Sequence, residues 1–251
     1  MAEQRLNCGE VWGGFAEEDL DLCSGGLTIS LFSSSARGRE GGDVYYLSVC
    51  GQDQLTRIAL ADVVGHGADV RDVSQWLYQA VESRVDDARG AHLLGELNGL
   101  AVERGIESMA TVALASFERS QQGATFAYAG HAPALVRRRG QTAWHPAELD
   151  PANVTHPNAP LGVVPGAGFD EWFEPLGPGD RMLLYTDGLV EARADDGEPF
   201  GEKRLHELLE AEGDAPLHDL KGALLESLAR HSPDAHRQDD VSLVAVEVAP
   251  R

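Results

Sequence analysis

The sequence is short of cysteine, of basic residues and of long apolar runs, and each shortage removes a class of protein. Cys8, Cys23 and Cys50 are its three cysteines, with no C-x-x-C pair among them. That number and spacing support neither a disulfide framework nor a zinc knuckle. Lys and Arg together number 20 against 41 Asp and Glu, a formal net charge of −21. Affinity for nucleic-acid backbones comes mainly from Lys and Arg contacts, so no nucleic-acid partner is expected. Most of the surplus acid keeps the surface solvated, and the rest is free to serve cations. No segment approaches the roughly 18 apolar residues of a membrane span. Met1 to Arg5 also lack the apolar core of a signal peptide. A cytoplasmic protein without a membrane partner is expected.

What is present fits one large layered α+β domain, since a chain of 251 residues can still surround a single core. The division expected is an N-terminal lead-in or edge segment over residues 1–26, rich in Gly and acid, then one domain over 27–251. Repeats and low-complexity tracts are missing. Leu27 to Phe32 begins a β-like run. Val44 to Val49 and Leu55 to Asp62 make a hairpin around the turn at Gly51 to Gln54. Val70, Val73, Leu77, Ala80 and Val81 then recur at steps of three and four, which predicts a helix from Ala68 to about Asp87. A second helix is expected over Ala91 to Glu103. Strands at Thr111–Phe117, Ala124–Ala129 and Ala134–Arg138 follow. Pro146 to Gly168, dense in Pro, Gly and Asn, reads as a loop or flap. Strands at Glu171–Phe173 and Arg181–Thr186, helices at Glu202–Ala211 and Leu217–Arg230, and a strand at Val241–Val248 complete the chain. Strands grouped with strands and helices with helices describe a layered sandwich rather than alternating β-α units.

Four acidic signals stand at the ends of these strands: Gly41-Gly42-Asp43, Ala61-Asp62, Thr186-Asp187-Gly188 and Asp239-Asp240. A single Asp beside Gly is usually a turn residue. Four at strand ends ask for a common cause. Clustered carboxylates repel unless a cation neutralises them, and hard divalent ions choose oxygen ligands. Two such ions about 3.5–4 Å apart can clamp a phosphoryl group and lower the pKa of a water between them. That chemistry needs no cysteine nucleophile, and the chain has no C-x₅-R loop to supply one.

The motifs GGDVY, ADVVGHG, MATVALASF, FAYAGHAPAL, PLGV, LLYTDGLVEA and QDDVSL follow one another in that order between Leu27 and Val248. In that series the chain resembles the bacterial metal-dependent phosphatases typified by stage II sporulation protein E and the sigma-factor stress regulators, a branch of the phosphatase 2C superfamily. The resemblance implies an α-β-β-α sandwich with two Mn²⁺ or Mg²⁺ ions at one edge of two antiparallel sheets. It implies that Asp62 bridges both ions, helped by the backbone carbonyl of Val63, and that Asp187 and Asp239 complete the first site. Asp43 would serve the second, and Asp240 would orient a water. Gly65 and Gly67 would let the backbone turn between strand and helix. His66 has two readings, a proton donor to the leaving Ser oxygen or a hydrogen bond that holds the loop, and His131 shares them. Arg37 and Arg39 are the nearest candidates for a phosphate-holding arginine, or else solvated loop residues.

The implied activity is hydrolysis of phosphoserine or phosphothreonine on a bacterial signalling protein, a phosphorylated STAS-type anti-sigma-factor antagonist being the favoured substrate. The rival of another class is an inactive, phosphatase-like binding module. Val44 stands where the Gly-Gly-Asp-Glu motif of diguanylate cyclases needs an acid. Tyr185 stands where haloacid-dehalogenase phosphatases need their nucleophile. The helix carrying Trp76 and Tyr78 covers the sheet on the plain reading; a regulatory or homodimer role is the other.

Overall fold

The computed structural model describes residues 4–14, 16–24, 26–36, 41–50, 52–64, 68–84 and 89–250. Alternation along its strands explains the architecture, because successive side chains leave opposite faces of a sheet. Tyr45, Leu47, Ile58, Leu60, Ala113, Ala115, Phe126, Met182, Leu184, Val244 and Val246 all enter one buried layer between two sheets. Their chain neighbours Val44, Tyr46, Ala59 and Ala61 face a second layer, under helices α1 (Ala68–Glu82) and α2 (Gly90–Arg104). Leu183, Tyr185, Leu243 and Ala245 face a third, under α3 (Asp187–Glu191), α4 (Gly201–Ala211) and α5 (Leu217–His231). Strands covered on both faces read as continuous apolar runs. The result is an α-β-β-α sandwich, the expected fold class.

One sheet contains β2 (Glu10–Gly13), β5 (Asp43–Cys50), β6 (Leu55–Val63), β7 (Ala110–Glu118), β8 (Gly123–Ala129) and β11 (Glu171–Pro175), in the order β11-β8-β7-β6-β5-β2. The other contains β1 (Gln4–Arg5), β3 (Glu18–Cys23), β4 (Leu27–Ser34), β9 (Leu135–Arg137), β10 (His145–Pro146), β12 (Arg181–Tyr185) and β13 (Val241–Val248). Its order is β1-β3-β4-β13-β12-β9-β10, antiparallel apart from the short β1–β3 pair. Residues before Leu27 supply a strand toward one edge of each sheet: β2 against β5, and β3 against β4. Lys221 of α5 holds β3 in place. It is 1% exposed, bonds Asp19, and donates at 3.3 Å to both Asp21 and the carbonyl of Leu31.

Helix α1 is regular only to Glu82, short of the expected Asp87, and residues 85–88 lie outside the described ones. The two shortest helices, α3 and α6 (Ala235–Gln238), went unanticipated because four or five residues display no period. Cys50 is half-buried at the end of β5, and no disulfide joins Cys8, Cys23 and Cys50. Residues 146–168 form a flap with a 3-10 turn at Pro151–Asn153, pinned to β7 by a bridge between Leu161 and Ala110. Among the described residues, no helix is long and apolar enough to cross a membrane.

Candidate functional site

The inter-sheet layer turns polar at one end, and strand parity decides which residues form that end. Asp43 continues the row of Tyr45 and Leu47, and Asp62 continues that of Leu60 and Ile58. The two are paired directly across the β5–β6 ladder, so their side chains leave the same face. From the opposite sheet, Thr186 continues the row of Met182 and Leu184, Ser242 that of Val244, and Ser33 that of Leu31. Hydroxyls therefore meet the carboxylates from across the sandwich. Thr186 Oγ1 donates to Asp43 Oδ2 at 2.8 Å and accepts from the Ser242 backbone N–H at 3.0 Å. Ser242 Oγ lies 2.8 Å from Ser33 Oγ.

Asp187 and Asp239 reach the same corner from outside the layer. Asp187 opens α3 and Asp239 precedes β13; both are exposed. Gly188 makes this approach sterically feasible, since a Cβ there would stand 1.9 Å from the carbonyl oxygen of Asp240. Asp240 is buried. Its Oδ1 accepts from the backbone N–H of Ala36, and its Oδ2 from those of Gly42 and, at 3.2 Å, Asp43. Both oxygens thus tie the ends of β4 and β5 to the start of β13, a role that water orientation would have to share. The signal for it was the second Asp of the pair, one residue out of phase with the first.

Burial and mutual repulsion set the protonation of this group. Burial pushes the Asp62 carboxyl up to about 7, and Asp187, Asp239 and Asp240 push in the same direction. Asp43 is raised well above the usual carboxylate range by burial, then by Asp62 and Asp240, against the hydrogen bonds of Ser242 and Thr186. Burial, Asp187 and Asp240 also raise Asp239. The Val63 carbonyl lies beside this cluster, 2.6 Å from the point a Cβ on Gly42 would occupy, with Asp62 Oδ1 3.3 Å from the same point.

The donor set is all oxygen, suits a hard divalent cation and lacks the positive charge that would let its carboxylates ionise together. In chemistry and charge the residues fit such an ion. Among the described residues no three acidic, imidazole or thiol groups yet converge on one point. Asp43, Asp62, Asp187, Asp239 and Asp240 are thus brought together as an open cluster. Gly65, His66, Gly67, Arg37 and Arg39 lie outside the described residues. His131 is 5% exposed, with Nδ1 2.9 Å from the Ala132 carbonyl oxygen. Burial lowers its pKa, against the pull of Asp187.

A family model described as Stage II sporulation protein E (SpoIIE) matches residues 52–249. Among curated relatives, phosphoserine phosphatase RsbP of Bacillus subtilis is 24% identical over 227 residues, covering 85% of this chain and 51% of RsbP. Phosphoserine phosphatase RsbU of the same organism is 24% identical over 224 residues, covering 88% of this chain and 63% of RsbU. This chain therefore spans only half to two thirds of those relatives. The crystal structure of the RsbU and RsbW domains of Rv1364c from Mycobacterium tuberculosis superposes with a TM-score of 0.77 at 24% identity. That alignment covers 95% of this chain and 64% of the other. With the sandwich in place and the match extending across most of its length, the chain belongs to the stage II sporulation protein E family.

Proposed function

We propose that the chain is a metal-dependent phosphatase acting on phosphoserine or phosphothreonine of a bacterial signalling protein. The observation that carries the reading is the pairing of Asp43 with Asp62 at the polar end of the inter-sheet layer, within electrostatic reach of Asp187, Asp239 and Asp240. Carboxylates whose ionisation is so opposed have a use when a cation joins them. Asp62, Asp43, Asp187, Asp239 and the Val63 carbonyl would hold two Mn²⁺ or Mg²⁺ ions, with Asp62 shared. When bound, such ions supply Lewis-acid polarisation of a phosphoryl oxygen and acidify water.

The chain's own part is positioning. Thr186 and Ser242 fix the Asp43 carboxylate from the facing sheet, so it cannot swing toward solvent. Asp240 holds the Gly42–Asp43 backbone against the start of β13. Asp187 and Asp239, exposed at the rim, would hold their ion on the side open to a phosphoryl group arriving from solvent. The RsbU and RsbP relatives, named phosphoserine phosphatases, support a phosphoserine substrate here, and a phosphorylated STAS-type protein is the substrate we favour. Release of phosphate from a phosphoserine peptide, with Mn²⁺ or Mg²⁺ against excess EDTA, tests the reading. Hydrolysis only with the ion is expected. Equal hydrolysis in EDTA would remove the metal mechanism, and none with either ion would leave a binding module.

A further inference from the structure

At the far end of the β12 sheet the chain gathers arginines. Arg181 opens β12 and Asp187 lies beyond its other end, so about 20 Å of extended backbone separates this corner from the carboxylates. A cavity of about 240 Å³ is lined there by Arg137, Arg139 and Arg181, with Asp214 and Glu247. Arg137 and Arg181 are 4% and 7% exposed. In a chain of net charge −21, so many guanidinium groups at one cavity need an explanation.

Arg181 is fully engaged. Its Nε donates to Glu247 at 2.7 Å, and its Nη1 to the carbonyls of Gly213 at 2.5 Å and Ala215 at 2.7 Å. Arg137 is not. Its Nη1 donates to the Gln141 carbonyl at 2.8 Å and to Asp214 Oδ1 at 2.9 Å, while its buried Nε has no acceptor among the described residues. A buried donor left unmade is costly. The Asp214 side chain is 90% exposed and still reaches back onto this guanidinium from the loop between α4 and α5. It occupies the place an external anion would take. Arg139, exposed on the same cavity, has no ion pair among the described residues.

We propose that this cavity is a binding site for a phosphate group, distinct from the carboxylate cluster. Arg137 Nε is buried away from solvent, so two donor positions border the cavity: Arg137 Nη1 once Asp214 moves aside, and the Arg139 side chain. An anion with several acceptor oxygens can accept from both arginines at once. Water occupies about 30 Å³ per molecule in the liquid, so the cavity also has room for part of an organic group carrying the phosphate.

Calorimetry in EDTA, which keeps divalent ions off the carboxylates, tests the site with inorganic phosphate and with adenosine monophosphate. Chloride at matched ionic strength is the blank. Saturable phosphate binding is expected in the parent. Arg139→Ala should weaken it about tenfold, the loss of one charged hydrogen-bonding group. Asp214→Asn should tighten it, because the competing negative charge is gone. Arg139 is exposed, and the amide oxygen in Asp214→Asn can still accept from Arg137 Nη1, so neither change endangers the fold. Asp62→Asn should bind phosphate like the parent. Tighter binding of the nucleotide would identify an organic phosphate as the ligand, and equal or weaker binding the free ion. Heat indistinguishable from chloride would overturn the proposal. So would Arg139→Ala and Asp214→Asn both behaving like the parent, or loss of binding in Asp62→Asn.

Discussion

Asp62 carries a stability cost that its proposed role would explain. Its folded pKa of about 7 lies above the ordinary carboxylate value. Folding is therefore favoured while both states keep the proton, at pH below the unfolded value near 4. That advantage is lost as pH rises from about 4 to about 7. In EDTA the parent should lose stability across that window, on the order of 3 kcal/mol from Asp62 after allowance for partial solvent screening. Asp62→Asn keeps the shape without the charge, so its loss across the same window should be smaller. Urea unfolding of both proteins at several pH values checks this; equal pH dependence would mean that Asp62 does not titrate as described. Turnover with Mn²⁺ should fall at least about a hundredfold in the variant if Asp62 bridges the ions. The acidic positions were legible in the sequence because each sits at the end of an apolar run. Their hydroxyl partners were not. Thr186 and Ser242 meet Asp43 through inter-sheet packing, which no local pattern encodes, and Ser33 backs Ser242 from the neighbouring strand.

At the scale of elements, Asp240 is the joint between three strands. It serves the backbone N–H groups of Ala36, Gly42 and Asp43 at once, so its removal leaves them without that acceptor at a mostly buried corner. Asp240→Ala should cost about 3 kcal/mol in urea unfolding, given the penalty for unmade bonds to a charged acceptor. Asp240→Asn, which retains a carbonyl oxygen, should recover part of that loss. A cost below about 0.5 kcal/mol for the alanine variant, the range of ordinary surface changes, would show that the joint is not needed. The same scale divides what the sequence could convey from what it could not. Helix α1 was legible in the steps of Val70, Val73, Leu77, Ala80 and Val81, which all face the β5–β6 sheet. Its clamp was not: Tyr78 stacks on Trp12 of β2, with ring centroids 3.8 Å apart, and donates to Glu10 at 2.9 Å. Residues 68 positions apart meet because β2 pairs with β5 in the sheet that α1 covers. Trp76 likewise lies under the Arg104 guanidinium of α2.

Over the whole molecule the acidic surplus becomes a response to cations. With a net charge of −21, most carboxylates are solvated and screened, and general neutralisation by salt is weak and lacks saturation. The cluster around Asp62 is different because it is partly buried and its members oppose one another's ionisation. A divalent ion that binds only the folded chain stabilises it by about 2.7 kcal/mol at 100 times its Kd. For a domain of this size that corresponds to a rise of roughly 5–10 °C in Tm. Thermal melts should therefore show a saturable rise with Mn²⁺ or Mg²⁺, reversed by EDTA, and little change with Na⁺ at the same ionic strength. Asp62→Asn should lose most of the Mn²⁺ response while keeping the response to Na⁺. Alkylating Cys8, Cys23 and Cys50 should leave both the Mn²⁺ shift and turnover largely intact, because none belongs to the acidic corner. A shift of equal size in parent and Asp62→Asn would place the ion elsewhere on the acidic surface. The pairing of Asp43 with Asp62 would then be a feature of the fold alone.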